Sequence, residues 1–233
     1  MKIAVISDIH SNLHALKAAL TAIDERGADA IYCLGDIVGY GADAAACVDL
    51  VRERCAGSVR GNHDEAVALE RGLDVIPRDA REAAIHNRHQ LTSDQIDYLS
   101  NLPLTLEAEG LTFVHASPQD PQSWLRLNSF TVVKDQFSHF DTDICFVGHT
   151  HIAGVVSNRV GVLSVRPGHR YLVNAGSVGQ PRDDDPRLSF AFFDTEAVTC
   201  EIVRVGYDVE GAANRIQEAG LPSSLGKRLY HGR

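Results

Sequence analysis

The chain has 233 residues, 44% of them hydrophobic, and a formal net charge of −9. That length fits one ordinary α/β domain with a sizeable core, and no linker divides it, so residues 1–233 read as a single domain. The acidic balance argues against a standing surface for long nucleic acids and against a basic membrane patch. It leaves small anionic ligands open wherever bound cations reverse the local charge.

The five cysteines, Cys33, Cys47, Cys55, Cys145 and Cys200, are odd in number and lack C-x-x-C spacing, so neither disulfides nor a cysteine zinc site is expected. Cys33 and Cys145 lie in apolar runs and read as buried small hydrophobes. One lysine and a short apolar run do not make a signal peptide, and no stretch reaches the roughly 20 apolar residues of a membrane span. The expectation is a soluble, cytoplasmic protein.

The opening run, Ile3-Ala4-Val5-Ile6-Ser7-Asp8-Ile9-His10, is an apolar strand that ends in a carboxylate and an imidazole two residues apart. In extended backbone, residues i and i+2 share a face, so Asp8 and His10 can grip one ion at the strand end. Leu13, Leu16, Leu20 and Ile23 recur at helical spacing up to a stop at Gly27. A second apolar run, Ala30 to Leu34, ends in Gly35-Asp36. Strand, helix and strand at this spacing make a βαβ unit with parallel strands, which brings Asp36 to the edge that carries Asp8.

A helix starting near Asp43 and a short strand over 57–60 lead to Gly61-Asn62-His63-Asp64. Residues 65–101 read as helical, with a capping box at Thr92-Ser93-Asp94-Gln95, and form an insertion beside the strand ends that can act as a lid. Leu111 to Val114 is a strand ending at His115, and Ile144 to Val147 one ending at Gly148-His149-Thr150-His151. Beyond Gly154 the character turns to β, over Val155-Val156, Val160 to Val165, Tyr171 to Val173, Phe190 to Phe193 and Cys200 to Val205, with hairpins expected. A helix from Val209 to about Ala219 and a polar tail close the chain.

Five apolar strands thus end in candidate ligands: Asp8/His10, Asp36, Asn62/His63, His115 and His149/His151. Mixed N and O donors without sulfur suit manganese, iron, zinc, cobalt or nickel, and argue against an all-oxygen calcium cage. The set exceeds what one ion needs. Two ions about 3.5–4 Å apart, sharing a bridging carboxylate, account for it and form a recognised clamp for in-line displacement at phosphorus.

In order and spacing these blocks resemble the calcineurin-like metallophosphoesterase superfamily, over about two thirds of the chain. The resemblance implies an α/β (α+β) fold, a four-layer α-β-β-α double β-sandwich with a helical insertion at about 65–102. It implies that Asp8, His10, Asp36 and His151 hold one divalent ion, and that Asp36, Asn62, His115 and His149 hold the other. Manganese comes first among the cofactors, with iron, zinc, cobalt or nickel as alternatives. His63 matches the family's non-ligand histidine, implied to sit over the phosphate and protonate the leaving oxygen, with Asp64 placed to orient it. The implied reaction is attack by a metal-bridging hydroxide while both ions neutralise the developing charge.

Ser7 to Leu13, Gly35 to Gly41, His115-Ala116-Ser117-Pro118 and Asn174 to Arg182 are most similar to small single-domain bacterial and archaeal members. Two positions depart: Ser11 stands where Gly is frequent, and Gly39-Tyr40 replaces the Asp-Arg of Ser/Thr protein phosphatases, a loss that Arg60 does not make good by motif position. The expectation is therefore a phosphoesterase acting on a phosphodiester or nucleotide-type small molecule. The alternatives are a protein Ser/Thr phosphatase, a dinucleoside-polyphosphate hydrolase, or a non-catalytic metal-bound scaffold. Substrate-binding residues and oligomeric state leave no trace in the sequence.

Other candidates read as structural. His14, His139, His169 and His231 lack a strand-end context, and His86 and His89 suit a solvated helix face. Gly176 to Gly179 offers backbone N–H groups to a phosphate or makes a tight turn. Arg182 has Asp183-Asp184-Asp185 beside it as ordinary ion-pair partners.

Overall fold

The computed structural model describes residues 1–162 and 164–233. In chain order it runs β1 (Lys2–Ile6), α1 (Leu13–Arg26), β2 (Ala30–Cys33), α2 (Ala44–Arg54), β3 (Gly57–Ser58), α3 (Asn62–Leu69), α4 (Arg78–Gln90), α5 (Ser93–Asn101), β4 (Thr105–Ala108) and β5 (Leu111–Val114). There follow a 3₁₀ turn (Pro121–Ser123), α6 (Phe130–Gln136), β6 (Ile144–Val147), β7 (Gly154–Ser157), β8 (Tyr171–Asn174), β9 (Leu188–Asp194), β10 (Thr199–Val205), α7 (Val209–Glu218), α8 (Ser223–Lys227) and a closing 3₁₀ turn (Arg228–His231). Among the described residues no helix is long and apolar enough to cross a membrane.

The strands form two five-stranded mixed sheets, ordered β10-β9-β1-β2-β3 and β4-β5-β6-β8-β7. β1 pairs with β2 and β2 with β3 in parallel, as do β5 with β6 and β6 with β8. The expected βαβ unit is therefore present. Strand periodicity sorts the side chains into layers. Ile3 and Val5 of β1 join Phe113, Phe146 and Tyr171 of the other sheet in one core, while Ala4 and Ile6 face α1 and α2 in another. Tyr32 stacks on Phe113 at 4.5 Å and Phe146 meets Phe193 edge-on at 6.0 Å, so aromatic rings bridge the two sheets. Val133 of α6 covers the outer face of the second sheet with Cys145 and Val147. Helices, sheet, sheet and helix make the four layers expected.

The helix ends follow their cap chemistry. The Asn12 side chain accepts from Ala15 N–H, and Gly27 closes α1 at φ 66°. Thr92 and Gln95 form the expected capping box of α5. Other expectations are corrected. The helical region begins at Asn62, not Glu65, because Gly61 is the N-cap and Asp64 accepts its N–H at 3.0 Å. Residues 160–162, 164 and 165 form turns and irregular chain rather than a strand, and Leu163 of that expected run lies outside the described residues. The polar tail is instead α8 and a 3₁₀ turn, with Leu225 and Leu229 buried against α7. β4 went unread, although Glu109-Gly110, both at positive φ, is a two-residue hairpin loop onto β5.

Gly35 sits where β2 leaves its sheet, at φ +90°, and a Cβ there would meet Val59 O at 2.8 Å and overlap Gly61 N. Gly35→Ala is expected to lower unfolding free energy by about 3 kcal/mol or more, read from urea denaturation, because left-handed strain and backbone overlap add.

Candidate metal centre

The parallel strands β1, β2 and β3 of one sheet, and β5 and β6 of the other, deliver every sequence-predicted ligand to a single edge. The backbone there is not extended. Asp8, His10, Asp36, His149 and His151 have φ of 53°, 51°, 51°, 63° and 61°, so left-handed turns, not strand pleat, aim these side chains. The pairing of Asp8 with His10 holds, while its expected geometric reason does not. Asp8 N–H donates to Gly35 O at 3.0 Å, and His10 N–H to Asp36 O at 2.9 Å, which pins the two turns to each other.

Two groups of donor atoms result, each with its atoms within 4.8 Å of one another: Asp8, His10, Asp36 and His151 in one, Asp36, His115 and His149 in the other. Asp36 belongs to both. Each carboxylate divides its oxygens. Asp8 Oδ2 accepts from Ser7 Oγ at 2.6 Å and from His149 N–H at 3.0 Å, which leaves Oδ1 buried with no hydrogen-bond partner. Asp36 Oδ1 accepts from His63 N–H at 2.8 Å, while its Oδ2 lies 3.7 Å from His10 Nε2 and 3.4 Å from His115 Nε2. Gly61 is glycine because a Cβ would overlap that Asp36 carboxylate.

The imidazoles are oriented from behind. His10 Nδ1 lies 3.1 Å from Val38 O, His115 Nδ1 2.8 Å from Leu34 O, and His151 Nδ1 2.5 Å from Gln180 O. A carbonyl only accepts, so each Nδ1 carries a proton, and Nε2 of the neutral ring is the atom free to ligate. His10 Nε2 and His151 Nε2 then face each other at 3.2 Å with no proton between them, an arrangement that a cation relieves. Buried Asn62 Oδ1 and His115 Nε2 likewise lack partners. The donor set fits divalent metal.

Protonation points the same way. Burial opposes charge on both carboxylates, yet His151 beside Asp8 and His115 beside Asp36 hold them well below the usual carboxylate range. Burial pushes His10 down and carries His149 down to about 3. Burial also opposes charge on His115, but the Asp36 carboxylate beside it carries the imidazole up to about 9. Ionised carboxylates and the neutral imidazoles of His10 and His149 are the states that metal ligation needs, and His115 would have to give up its second proton to a cation.

His63 is in the site but in neither donor group. Its ring lies 5.0 Å from that of His10 and 4.6 Å from that of Tyr40, and burial carries it down to about 4. Asp64 does not orient it. The Asp64 carboxylate accepts from Ile37, Val38 and Gly61 N–H groups, and burial beside Asp36 pushes it up to about 7. Asn87, which sequence reasoning missed, is fully buried on α4. Its Oδ1 accepts from Ser11 Oγ and Gly39 N–H, and its Nδ2 donates to Gly41 O, so α4 is fastened to the β2–α2 loop through this side chain. Trp124, also missed, places its ring 5.9 Å from His115.

The remaining candidates stay outside. His14 and His139 face Asp208 and Asp135, and His86 meets Gln90 on α4. Within Gly176 to Gly179 every N–H is already donated: to Asn174 Oδ1, Ser189 Oγ, Ser7 O and Asp8 O in turn. That segment is a turn and has no N–H to offer a phosphate.

The sequence model of the calcineurin-like phosphoesterase superfamily domain matches residues 1–198. The chain belongs to that superfamily. It is 41% identical to the uncharacterized protein MJ0912 of Methanocaldococcus jannaschii over 242 aligned positions, which span 99% of this chain and 98% of that relative. The structure is similar to that of a metallophosphoesterase from Sphaerobacter thermophilus, with 38% identity, a TM-score of 0.88, and coverage of 100% of this chain and 99% of that one. Hypothetical protein PH1004 from Pyrococcus horikoshii OT3 shares the fold at 23% identity and a TM-score of 0.82, with 100% and 98% of the two chains covered. As a member of this superfamily the chain is a phosphoesterase-type hydrolase, and its Asp/His clusters supply donors for divalent metal.

Metal binding at this edge is expected to stabilise the fold. Saturating a site to about 100 times its dissociation constant adds about 2.7 kcal/mol, visible as a raised melting temperature. Asp36→Asn, which alters the one donor common to both groups, is expected to lose most of that increment and most bound metal by elemental analysis.

Proposed function

We propose that the protein is a dinuclear metal-dependent phosphoesterase that hydrolyses a phosphodiester or nucleotide-type small molecule. The observation that carries this reading is Asp36, common to two groups of ligand atoms and with its Oδ2 facing both His10 and His115, while His63 lies beside them but outside both. Asp8, His10, Asp36 and His151 would hold one ion, and Asp36, Asn62, His115 and His149 the other, with manganese as the leading candidate. When bound, the two ions supply an activated water and positive charge against the phosphoryl oxygens.

The protein's own groups do the rest. His63, anchored through its N–H to Asp36, donates a proton to the leaving oxygen. Burial keeps the free imidazole neutral, and an anionic phosphate beside it raises its proton affinity when substrate enters. Asn87 holds Gly39 and Gly41, and Gly39 leaves the room in which the His63 ring sits.

A small substrate is favoured over a phosphoprotein because Tyr40 stands where protein phosphatases carry a phosphate-binding arginine. Arg60 is engaged elsewhere, with Ser100 O at 2.7 Å and Glu65 at 3.4 Å. A cytoplasmic location belongs to the same reading and rests on the odd set of cysteines. Neither a membrane nor long nucleic acid is part of it.

With manganese supplied, the protein is expected to hydrolyse bis-p-nitrophenyl phosphate and to prefer phosphodiesters or nucleotides over phosphopeptides in a substrate panel; a strong phosphopeptide preference would overturn the assignment. His63→Ala should keep its metal by elemental analysis while turnover falls about 10²–10⁴-fold. Wild-type turnover in that variant would remove His63 from the mechanism.

A further inference from the structure

Two arginines meet at the rim of the centre, on the His63 side. Arg182 and Arg228 place their guanidinium carbons 5.5 and 5.6 Å from the centroid of the Tyr40 ring, which itself lies 4.6 Å from His63 and 4.7 Å from His10. Both donate to one neutral acceptor, the buried Oε1 of Gln180, at 2.9 and 3.3 Å. The acidic triplet next to Arg182 is not its partner, contrary to the sequence expectation. Asp183 pairs with Arg204, Asp184 with Arg233 and Asp185 with Arg187. Among the described residues, neither Arg182 nor Arg228 has a carboxylate within ion-pair distance.

The pair is held in place. Gln180 O receives the Nδ1 proton of the ligand His151, and Arg182 N–H donates to His151 O at 3.2 Å, so this arginine is tied to the metal edge through two backbone contacts. Arg228 is carried by the closing 3₁₀ turn, which Leu225 and Leu229 anchor in the core. Asp184 N–H donates to Gly232 O and thereby ties that turn to the Arg182 loop. Two like charges packed against one aromatic ring, in a chain of net charge −9, have no carboxylate within ion-pair distance among the described residues.

We infer that Arg182 and Arg228, side by side over Tyr40, form a subsite for a second anionic phosphate of the substrate, adjacent to the phosphate held at the metal centre. The substrate class is then a small molecule with a run of phosphates, such as a nucleoside polyphosphate. This rests on the reading of the centre as a phosphoesterase site. Planar guanidinium forks suit phosphate oxygens, and the Tyr40 ring and Gln180 keep the two forks close together and partly desolvated. Arg228 lies beyond the region matched by the superfamily model, so the subsite combines a superfamily edge with this chain's C-terminal segment.

The test is calorimetric and uses the metal-loaded protein, with methylenediphosphonate as a non-hydrolysable double anion and methylphosphonate as the single one. The wild type should bind the double anion at least about tenfold more tightly than the single one. Arg182→Gln and Arg228→Ala should each cut that ratio several-fold, and Arg228→Lys should restore part of it. Melting temperatures check that the variants are folded. A ratio unchanged in folded variants, or equal losses for both ligands, overturns the subsite. If the wild type binds neither ligand and leaves bis-p-nitrophenyl phosphate intact, the phosphoesterase reading fails with it. Hydrolysis of that diester with no wild-type preference for the double anion overturns the subsite alone.

Discussion

Five of the proposed ligands, Asp8, His10, Asp36, His149 and His151, are non-glycine residues held in the left-handed region. Each such residue costs roughly 1–2 kcal/mol, so together they consume an amount comparable with the net stability of a typical domain, about 5–15 kcal/mol. The fold therefore has to hold these turns from outside. β1 and β2 do so pairwise, through Asp8 N–H to Gly35 O, His10 N–H to Asp36 O and Ser11 N–H to Ile37 O. The β8–β9 loop closes over them, with Val178 and Gly179 N–H groups on Ser7 O and Asp8 O. His149 N–H on Asp8 Oδ2 then locks the second sheet to the first.

That last contact explains why the site stands at the junction of two sheets and why its carboxylates are used in halves. One oxygen of Asp8 and one of Asp36 act as backbone acceptors that fix the turns, and the other oxygen of each is left for a cation. The imidazoles repeat the division: Nδ1 on a carbonyl, Nε2 on the site. Without cations the arrangement keeps lone pairs in contact and buried polar atoms unpaired, so metal binding and the stability of this edge are one free-energy problem.

Much of this was legible in the sequence because the signal was local. An apolar run that stops at a polar residue marks a strand end whatever the turn beyond it, so all eight candidate site residues lie at one edge, seven as ligand candidates and His63 among them. The turns themselves were not legible. Extended backbone would pair Asp8 with His10, whereas their left-handed φ angles are imposed by β2 and the β8–β9 loop, far away in sequence. The same holds for Asn87 and Arg228. A lone asparagine in a helix and an arginine in a C-terminal segment carry no local mark, and their roles come from Gly39, Gly41 and Gln180, about 50 residues distant. Where the sequence reading used only local arithmetic it also erred, as in pairing Arg182 with the adjacent acids. Residues two apart in a turn do meet, as Asp185 and Arg187 show, but Asp183 and Asp184 are claimed by Arg204 and Arg233.

The charge distribution follows from this competition. A net charge of −9 describes the whole surface, whereas ligand choice depends on what stands within a few ångströms of the centre. There the acids are turned inward into groups of donors that could hold a cation, and the rim cations are relieved of acids because other arginines have taken them. Tyr40 sits between these two zones, its ring edge-on to His10 and its face beneath the two guanidiniums. A tyrosine in that position can be read as the loss of a charged group. In this structure it is instead the surface on which charge from two distant segments is assembled.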